Sequence, residues 1–185
     1  SRRGSRLSSR GRRFLNALVY GTTRHSTLAD HVLKPLLSKP INLLPLPIRL
    51  ILRMDVYQAI YLDSVTFPAM VHTSVDVAKK KGNPGTARLV NAVLKKVPQS
   101  LDDITFPDAK EDAGLYLSVR YSLEKWLCDR WVEEYGFERA EAICAASNEE
   151  APTTLRVNTT ITTREKLIAN LAKADTLAEA HPRIP

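Results

Sequence analysis

The stretch LRMDVYQAIYLDSV, residues 52–65, decides how the chain is read. Together with Ile48 and Ile51 just before it, Leu52, Val56 and Ala59 recur at three- and four-residue intervals, the spacing of one helical face. Pro47 suits the first turn of that helix, where its missing N–H would have no intrahelical partner. Asp63 and Ser64 mark a turn at the far end. The same period extends outward. Residues 10–24 predict a helix with Phe14, Leu15, Leu18 and Val19 on one stripe, and Leu28, Val32, Leu33, Leu36 and Leu37 line a second helix that Pro40 breaks. Downstream, Pro68 restarts a helix that ends at Gly82, expected as a left-handed stop. Residues 85–97 carry Leu89, Val90, Val93, Leu94 and Val97 before Pro98 ends them. Five such helices with short connections predict a compact bundle over residues 1–98.

The pattern then changes twice. Residues 99–118 contain Asp102, Asp103, Asp108, Glu111 and Asp112 and read as an acidic linker, with residues 99–114 expected to exchange amide protons fastest of the internal segments. From 119 to 185 the chain reads as linker helices followed by the start of an α/β domain that has been cut. Ser122 is placed to cap a helix with Leu123, Trp126, Leu127 and Trp131 on one face and Gly136 at its end, and a shorter helix follows over 138–147. Residues 154–158 alternate apolar and polar side chains, as a strand does. The spacing from Thr162 to Glu165 is that of a capping box opening a helix with Leu167, Ile168 and Leu171. One strand and one helix cannot bury a sheet core alone. The fold class is therefore mainly α, a helical bundle continued by linker helices and the first strand and helix of a truncated α/β domain.

Composition narrows the function. The net charge of +7 conceals an asymmetry: through residue 100 there are 17 Lys/Arg against 4 Asp/Glu, and beyond it 10 against 16. The first part has the electrostatic footprint of a phosphate-backbone binder. No run reaches the roughly 20 apolar residues needed to span a bilayer, and no secretory signal opens the chain. Two cysteines, Cys128 and Cys144, are too few for a disulfide framework, so a reducing, cytoplasmic location is expected.

Candidate binding residues form two groups. The opening SRRGSRLSSRGRR reads as a flexible basic arm, residues 1–13, whose Arg2, Arg3, Arg6, Arg10, Arg12 and Arg13 suit phosphates and unpaired bases. The other reading of this arm is a solubilising tail. The positive charge continues in Arg24, Lys79, Lys80, Lys81, Arg88, Lys95 and Lys96, most of them at helix ends. Cations at helix C-termini also favour the macrodipole, so part of that cluster has a structural explanation. Tyr121, Trp126, Trp131 and Tyr135 offer stacking surfaces, but at their spacing they read first as core. His25, His31, His72 and His181 show no metal-ligand spacing, and both cysteines lie on amphipathic helices as small buried hydrophobes.

Several runs together resemble a known family. LVYGTTR (18–24), LRMDVYQAIYLDSV (52–65), AKKKG (78–82) and LVNAVLKK (89–96) look like the NusB-type RNA-binding domain. More narrowly, they resemble its version in RsmB/Sun-type small-subunit rRNA (cytosine-C5)-methyltransferases. YSLEKWLCDRWVEEYG (121–136) and SNEEAPTTLRVNTT (147–160) resemble the region preceding the methyltransferase fold of those enzymes. The resemblance implies binding of ribosomal RNA and a partner in the protein's own C-terminal catalytic domain, where S-adenosylmethionine would bind a Gly-rich loop. It places the reacting cysteines in Pro-Cys and Thr-Cys dipeptides, and neither occurs here. No catalytic, metal or cofactor residue is therefore expected in this chain. The alternative is a NusB-like transcription antitermination factor that binds RNA with a ribosomal protein, which has no counterpart to residues 119–174. A second alternative is a scaffold that packs on its catalytic domain and barely touches RNA.

Overall fold

The computed structural model describes residues 7–62, 65–149, 151 and 153–181. The expected turn at Asp63 and Ser64 lies outside these residues. The helices are α1 (Ser9–Arg24), α2 (Ser26–Leu33), α3 (Leu46–Tyr61), α4 (Phe67–Lys81), α5 (Pro84–Leu94), α6 (Val97–Asp102), α7 (Ala113–Tyr121), α8 (Lys125–Tyr135), α9 (Phe137–Asn148) and α10 (Arg164–Lys173). They fall into two compact units that divide between Asn148 and Glu149.

Within the first unit, α3 is the central element. Pro47 stands in its first turn, and α1, α2, α4, α5 and the 3-10 turn Ile41–Leu43 all pack on it. Ile48, Ile51, Leu52 and Val56 are buried with Val32 and Leu33 of α2, Ala78 of α4, and Val90 and Leu94 of α5. Removing a Leu or Ile side chain of this kind from water contributes roughly 1.5–3 kcal/mol. Arg53 on α3 adds a bidentate pair to Asp30 on α2, at 2.7 and 2.6 Å. A second, smaller core joins α7, α8 and α9 around Leu117, Cys128, Ala140 and Cys144.

The expected helical bundle is present, but several local expectations change. In α1 the buried edge runs through Thr22 with half-buried Phe14 and Leu18, while Leu15 and Val19 are 44% and 49% exposed. Gly21 explains the rotation: a Cβ there would overlap the Tyr57 ring, so only glycine admits the α3 side chain at this crossing. Gly82 ends α4 with φ −132°, not in the left-handed region; its constraint is the Thr86 hydroxyl, which occupies the space a Cβ would need. Pro98 does not simply end a helix but sits in the first turn of α6, a position that needs no N–H partner.

Residues 99–118 do not form a free linker. They hold most of α6 and most of α7, and Leu101, Ile104 and Phe106 pack on the main core. The acidic side chains there organise turns: Asp108 Oδ1 accepts the Lys110 N–H at 2.8 Å, and Asp112 caps α7 by accepting the Leu115 N–H at 2.9 Å. Ser122 does not cap α8. It closes α7 in a left-handed conformation, φ 53°, and its hydroxyl accepts the Leu28 N–H at 2.9 Å, tying α7 to α2. Gly136, at φ 78°, does close α8.

In the second unit α10 is capped by Thr163, whose hydroxyl accepts the Lys166 N–H at 3.3 Å, one residue beyond the expected box. Asp175, at φ 55°, closes it, with the Thr176 N–H donating to the Leu171 carbonyl at 3.0 Å. The strand expected over 154–158 is not formed, and among the described residues no strand occurs. Alternation makes a segment fit for a sheet, but a strand exists only when a neighbour takes its backbone hydrogen bonds.

One polar group lies within the helical core. Asp55 on α3 is 1% exposed; its Oδ1 accepts from Ser74 Oγ at 2.8 Å and Gln58 Nε2 at 3.2 Å, while Oδ2 has no partner. Burial pushes this carboxyl up from an ordinary 3.8 to about 7, against the opposing hydrogen bond from Ser74. Because the folded state holds the proton more tightly than the unfolded chain, this stabilising contribution is complete below about pH 4 and is lost as pH rises through 7. Asp55→Asn should therefore raise the melting temperature at pH 8 by about 2–4 °C, as about 1 kcal/mol does in a domain of this size. The difference from the parent protein should vanish below about pH 4, where Asp55 is protonated in both folded and unfolded states. Thermal denaturation across that range checks it; an Asp55→Asn protein less stable than the parent at pH 8 would contradict the burial argument.

Candidate nucleic-acid interface

The sequence-predicted cations separate into distinct places. Arg2, Arg3 and Arg6 lie outside the described residues. Arg10, Arg12 and Arg13 belong to the first turns of α1, so this part of the expected arm is helical. Ser8 caps that helix by accepting the Gly11 N–H at 3.1 Å, and Arg12 Nη1 donates to the Leu7 carbonyl at 2.9 Å. The location is informative. A helix N-terminus carries partial positive charge, so exposed arginines there oppose the macrodipole. With no acidic residue in the first turn to offset them, α1 gains no stability from this cluster.

Lys79, Lys80 and Lys81 occupy the last turn of α4, where the dipole favours them. The turn into α5 is rigid: Asn83 Oδ1 accepts the Thr86 N–H at 3.0 Å, and Thr86 Oγ1 accepts the Asn83 N–H at 2.9 Å. That reciprocal cap sets the lysines beside the start of α5, which carries Arg88. Seven residues on, just past the end of α5, stands Lys95, on the same side of the helix and about 10 Å along its axis. Lys96 follows it. All six of these cations are exposed. Lys79 pairs with Asp76 at 3.4 Å, but among the described residues no carboxylate lies within ion-pair reach of Lys80, Lys81, Arg88, Lys95 or Lys96.

Arg24 differs from the others. Its Nη1 donates to the Asn148 carbonyl at 3.4 Å, and so ties the end of α1 to the end of α9. Beside it, His25 stacks on Tyr61 with ring centroids 4.3 Å apart, and the Tyr61 hydroxyl meets His25 Nδ1 at 3.3 Å. Burial, with Arg24 next to it, lowers the His25 pKa, so the ring favours its neutral form.

The groups that suggest chemistry elsewhere are structural. Cys128 and Cys144 are both fully buried, and burial with the neighbouring Cys144 pushes the Cys128 thiol up to about 12. A thiol so disfavoured as thiolate is a poor nucleophile. Trp131 and Tyr121 pack against the second core as expected, whereas Trp126 is 64% exposed. Among the described residues no cluster of His, Cys, Asp and Glu could hold a metal ion. Among the described residues no helix is long and apolar enough to cross a membrane. Sequence reasoning passed over Lys34 and Lys39, which line a cleft beside the 3-10 turns; two lysines flanking Pro35 and Pro40 were the available signal.

Comparison with known proteins gives this surface a context. Residues 1–99 match the model of the NusB family, and residues 123–185 match that of the RsmF/B-like methyltransferase, ferredoxin-like domain. The chain is 36% identical over 170 residues to the probable ribosomal RNA small subunit methyltransferase B of Bacillus subtilis, which covers 92% of this chain and 37% of that protein. It is 30% identical over 179 residues to the probable Synechocystis protein of the same name, 97% of this chain and 40% of that one. The corresponding Thermus thermophilus protein is 37% identical over 150 residues, 81% of this chain and 33% of that protein. The chain thus spans at most 40% of the length of these relatives. Among solved structures, the crystal structure of PH0851 shares the fold with a TM-score of 0.69 at 21% identity, over 96% of this chain and 39% of that one. The chain belongs to the NusB family, and its NusB domain is followed by the ferredoxin-like domain of RsmF/B-type methyltransferases, as in the small-subunit rRNA methyltransferase B proteins it resembles.

Proposed function

We propose that this chain grips ribosomal RNA and positions it for a methyltransferase catalytic domain lying in the part of its relatives that it does not span. The observation that carries this reading is the placing of exposed cations where the fold gains nothing from them. Arg10, Arg12 and Arg13 stand at the wrong end of α1 for the dipole, and Arg88 and Lys95 share one side of α5 without carboxylate partners. Charges that do not serve the fold are available to phosphates, whose neutralisation releases counterions. Phosphate contacts of this kind fix register, while the choice of target would rest on RNA shape and on the catalytic domain. An antitermination factor would use the same cations, but it leaves the ferredoxin-like region from residue 123 onward without a role.

The relatives' name implies S-adenosylmethionine for the whole enzyme. The residues of this chain do not fit that donor. The Gly82–Gly85 run lies in a helix-to-helix turn, where Thr86 fills the space beside Gly82, and both thiols are buried. No step of methyl transfer is assigned to these residues.

The purified chain should bind ribosomal RNA with an affinity that falls steeply with salt. Replacing Arg10, Arg12 and Arg13 by Ala should flatten the log–log salt dependence by about 0.7–0.9 for each phosphate no longer neutralised. The same change should leave thermal stability equal or higher, because it relieves α1 of cations at its N-terminus. Fluorescence anisotropy and thermal denaturation read the two effects, and an unaltered salt slope would remove the arginines from the interface. Incubated with labelled S-adenosylmethionine and rRNA, the chain alone should transfer no methyl group above a no-protein control.

A further inference from the structure

We propose that the groove on either side of His31 and Lys34 binds an unpaired nucleotide of single-stranded RNA, with the flanking phosphates on Lys34, Lys39 and Lys96. The proposal rests on the RNA-binding reading above and adds a second contact surface to it, distinct from α1 and from the α4–α5 turn. Two clefts, of about 510 and 830 Å³, meet at the end of α2 and share His31 and Lys34 as their dividing ridge. Both volumes fall in the range of small-molecule sites. The first cleft has an apolar lining from Leu37, Pro40, Ile41 and Val119, with Thr27 and Asn42 as hydrogen-bonding groups. Apolar walls with a few donors and acceptors suit a base taken out of its stack.

The charge around the groove points the same way. Lys34, Lys39 and Lys96 are exposed, and among the described residues none has a carboxylate within ion-pair reach. Two carboxylates line the clefts, Asp30 and Asp103. Asp30 is already engaged by both donors of the Arg53 fork, at 2.7 and 2.6 Å, so its charge is neutralised in place. Asp103 shares its cleft with two unpaired lysines, Lys34 and Lys96. Lys96 directly follows Lys95 at the end of α5.

The dividing ridge is held before any ligand arrives. His31 Nε2 donates to the Thr105 carbonyl at 2.8 Å, and its ring lies parallel to Phe106, 7° apart with centroids at 6.1 Å. That bond assigns the proton to Nε2 and fixes the ring between α2 and the segment after α6. A wall fixed in this way has little freedom left to lose on binding. A ridge between two cavities separates neighbouring bases, which a flexible single strand accommodates and a stacked duplex does not.

The test compares a labelled single-stranded uridine dodecamer with an RNA duplex of equal length by fluorescence anisotropy, using the full chain and its Lys34→Glu/Lys39→Glu variant. Both lysines are exposed, and circular dichroism of the variant checks that it is folded. Single-strand affinity should fall at least about tenfold, equivalent to about 1.4 kcal/mol, while duplex affinity changes less than about threefold. Photo-crosslinks from 4-thiouridine in the single strand should map to the peptide spanning 31–42. An equal loss for both RNAs, or crosslinks confined to α4 and α5, would overturn the groove while leaving the RNA-binding function intact. If the parent chain binds neither RNA, the groove and the proposed function fall together.

Discussion

Leu52 and its neighbours on α3 are enclosed by helices on several sides, and the rest of the first unit follows from that enclosure. α3 receives α1, α2, α4 and α5, burying Ile48, Ile51, Leu52 and Val56 along one face and Tyr57 beside it against α1. Each partner is then constrained by what it meets there. Gly21 is required where α1 crosses Tyr57, and Ser74 is required where α4 meets Asp55. Arg53 locks α2 through Asp30. Disrupting the packing on α3 would therefore release α1 and α2 from the pair formed by α4 and α5, which also pack on each other.

The same enclosure makes Asp55 costly. A carboxylate with one oxygen unpartnered in such a place is poorly compensated, so the proton is retained to near neutral pH. This is a property of the scaffold and lies apart from the exposed cations. On the proposed RNA-binding reading, stability would respond to pH through the buried acid, and RNA affinity would respond to salt through the exposed cations, two separate sets of groups.

Helix ends organise the charge of the surface. At the C-terminus of α4 three lysines serve the dipole, whereas at the N-terminus of α1 exposed arginines oppose it. The acidic residues after α6 play the complementary role, since Asp108 and Asp112 accept backbone N–H groups that would otherwise lack partners.

Periodicity alone determined the existence and order of α1 to α5, because three- and four-residue recurrence at Leu52, Val56 and their counterparts is a local property of the chain. The LVYGTTR, AKKKG and LVNAVLKK runs likewise carried the family, which the match over residues 1–99 bears out. What periodicity did not determine was which face of α1 is buried, since Leu15 and Val19 fit the stripe as well as Phe14 and Leu18 do, and only the close approach of Gly21 to Tyr57 breaks the tie. The segment of 99–118 read as a linker because of its five carboxylates and Pro107. Its order comes from Leu101, Ile104 and Phe106 reaching a core made by helices far away in sequence. Residues 154–158 show the opposite case: alternation is local, but a strand depends on hydrogen bonds from another segment, and no sequence pattern within five residues can supply them. The groove at His31 and Lys34 belonged wholly to the tertiary structure. Its two sides come from α2 and from residues near 100, and lysines that look scattered along the chain line it only after α6 has packed against the end of α2.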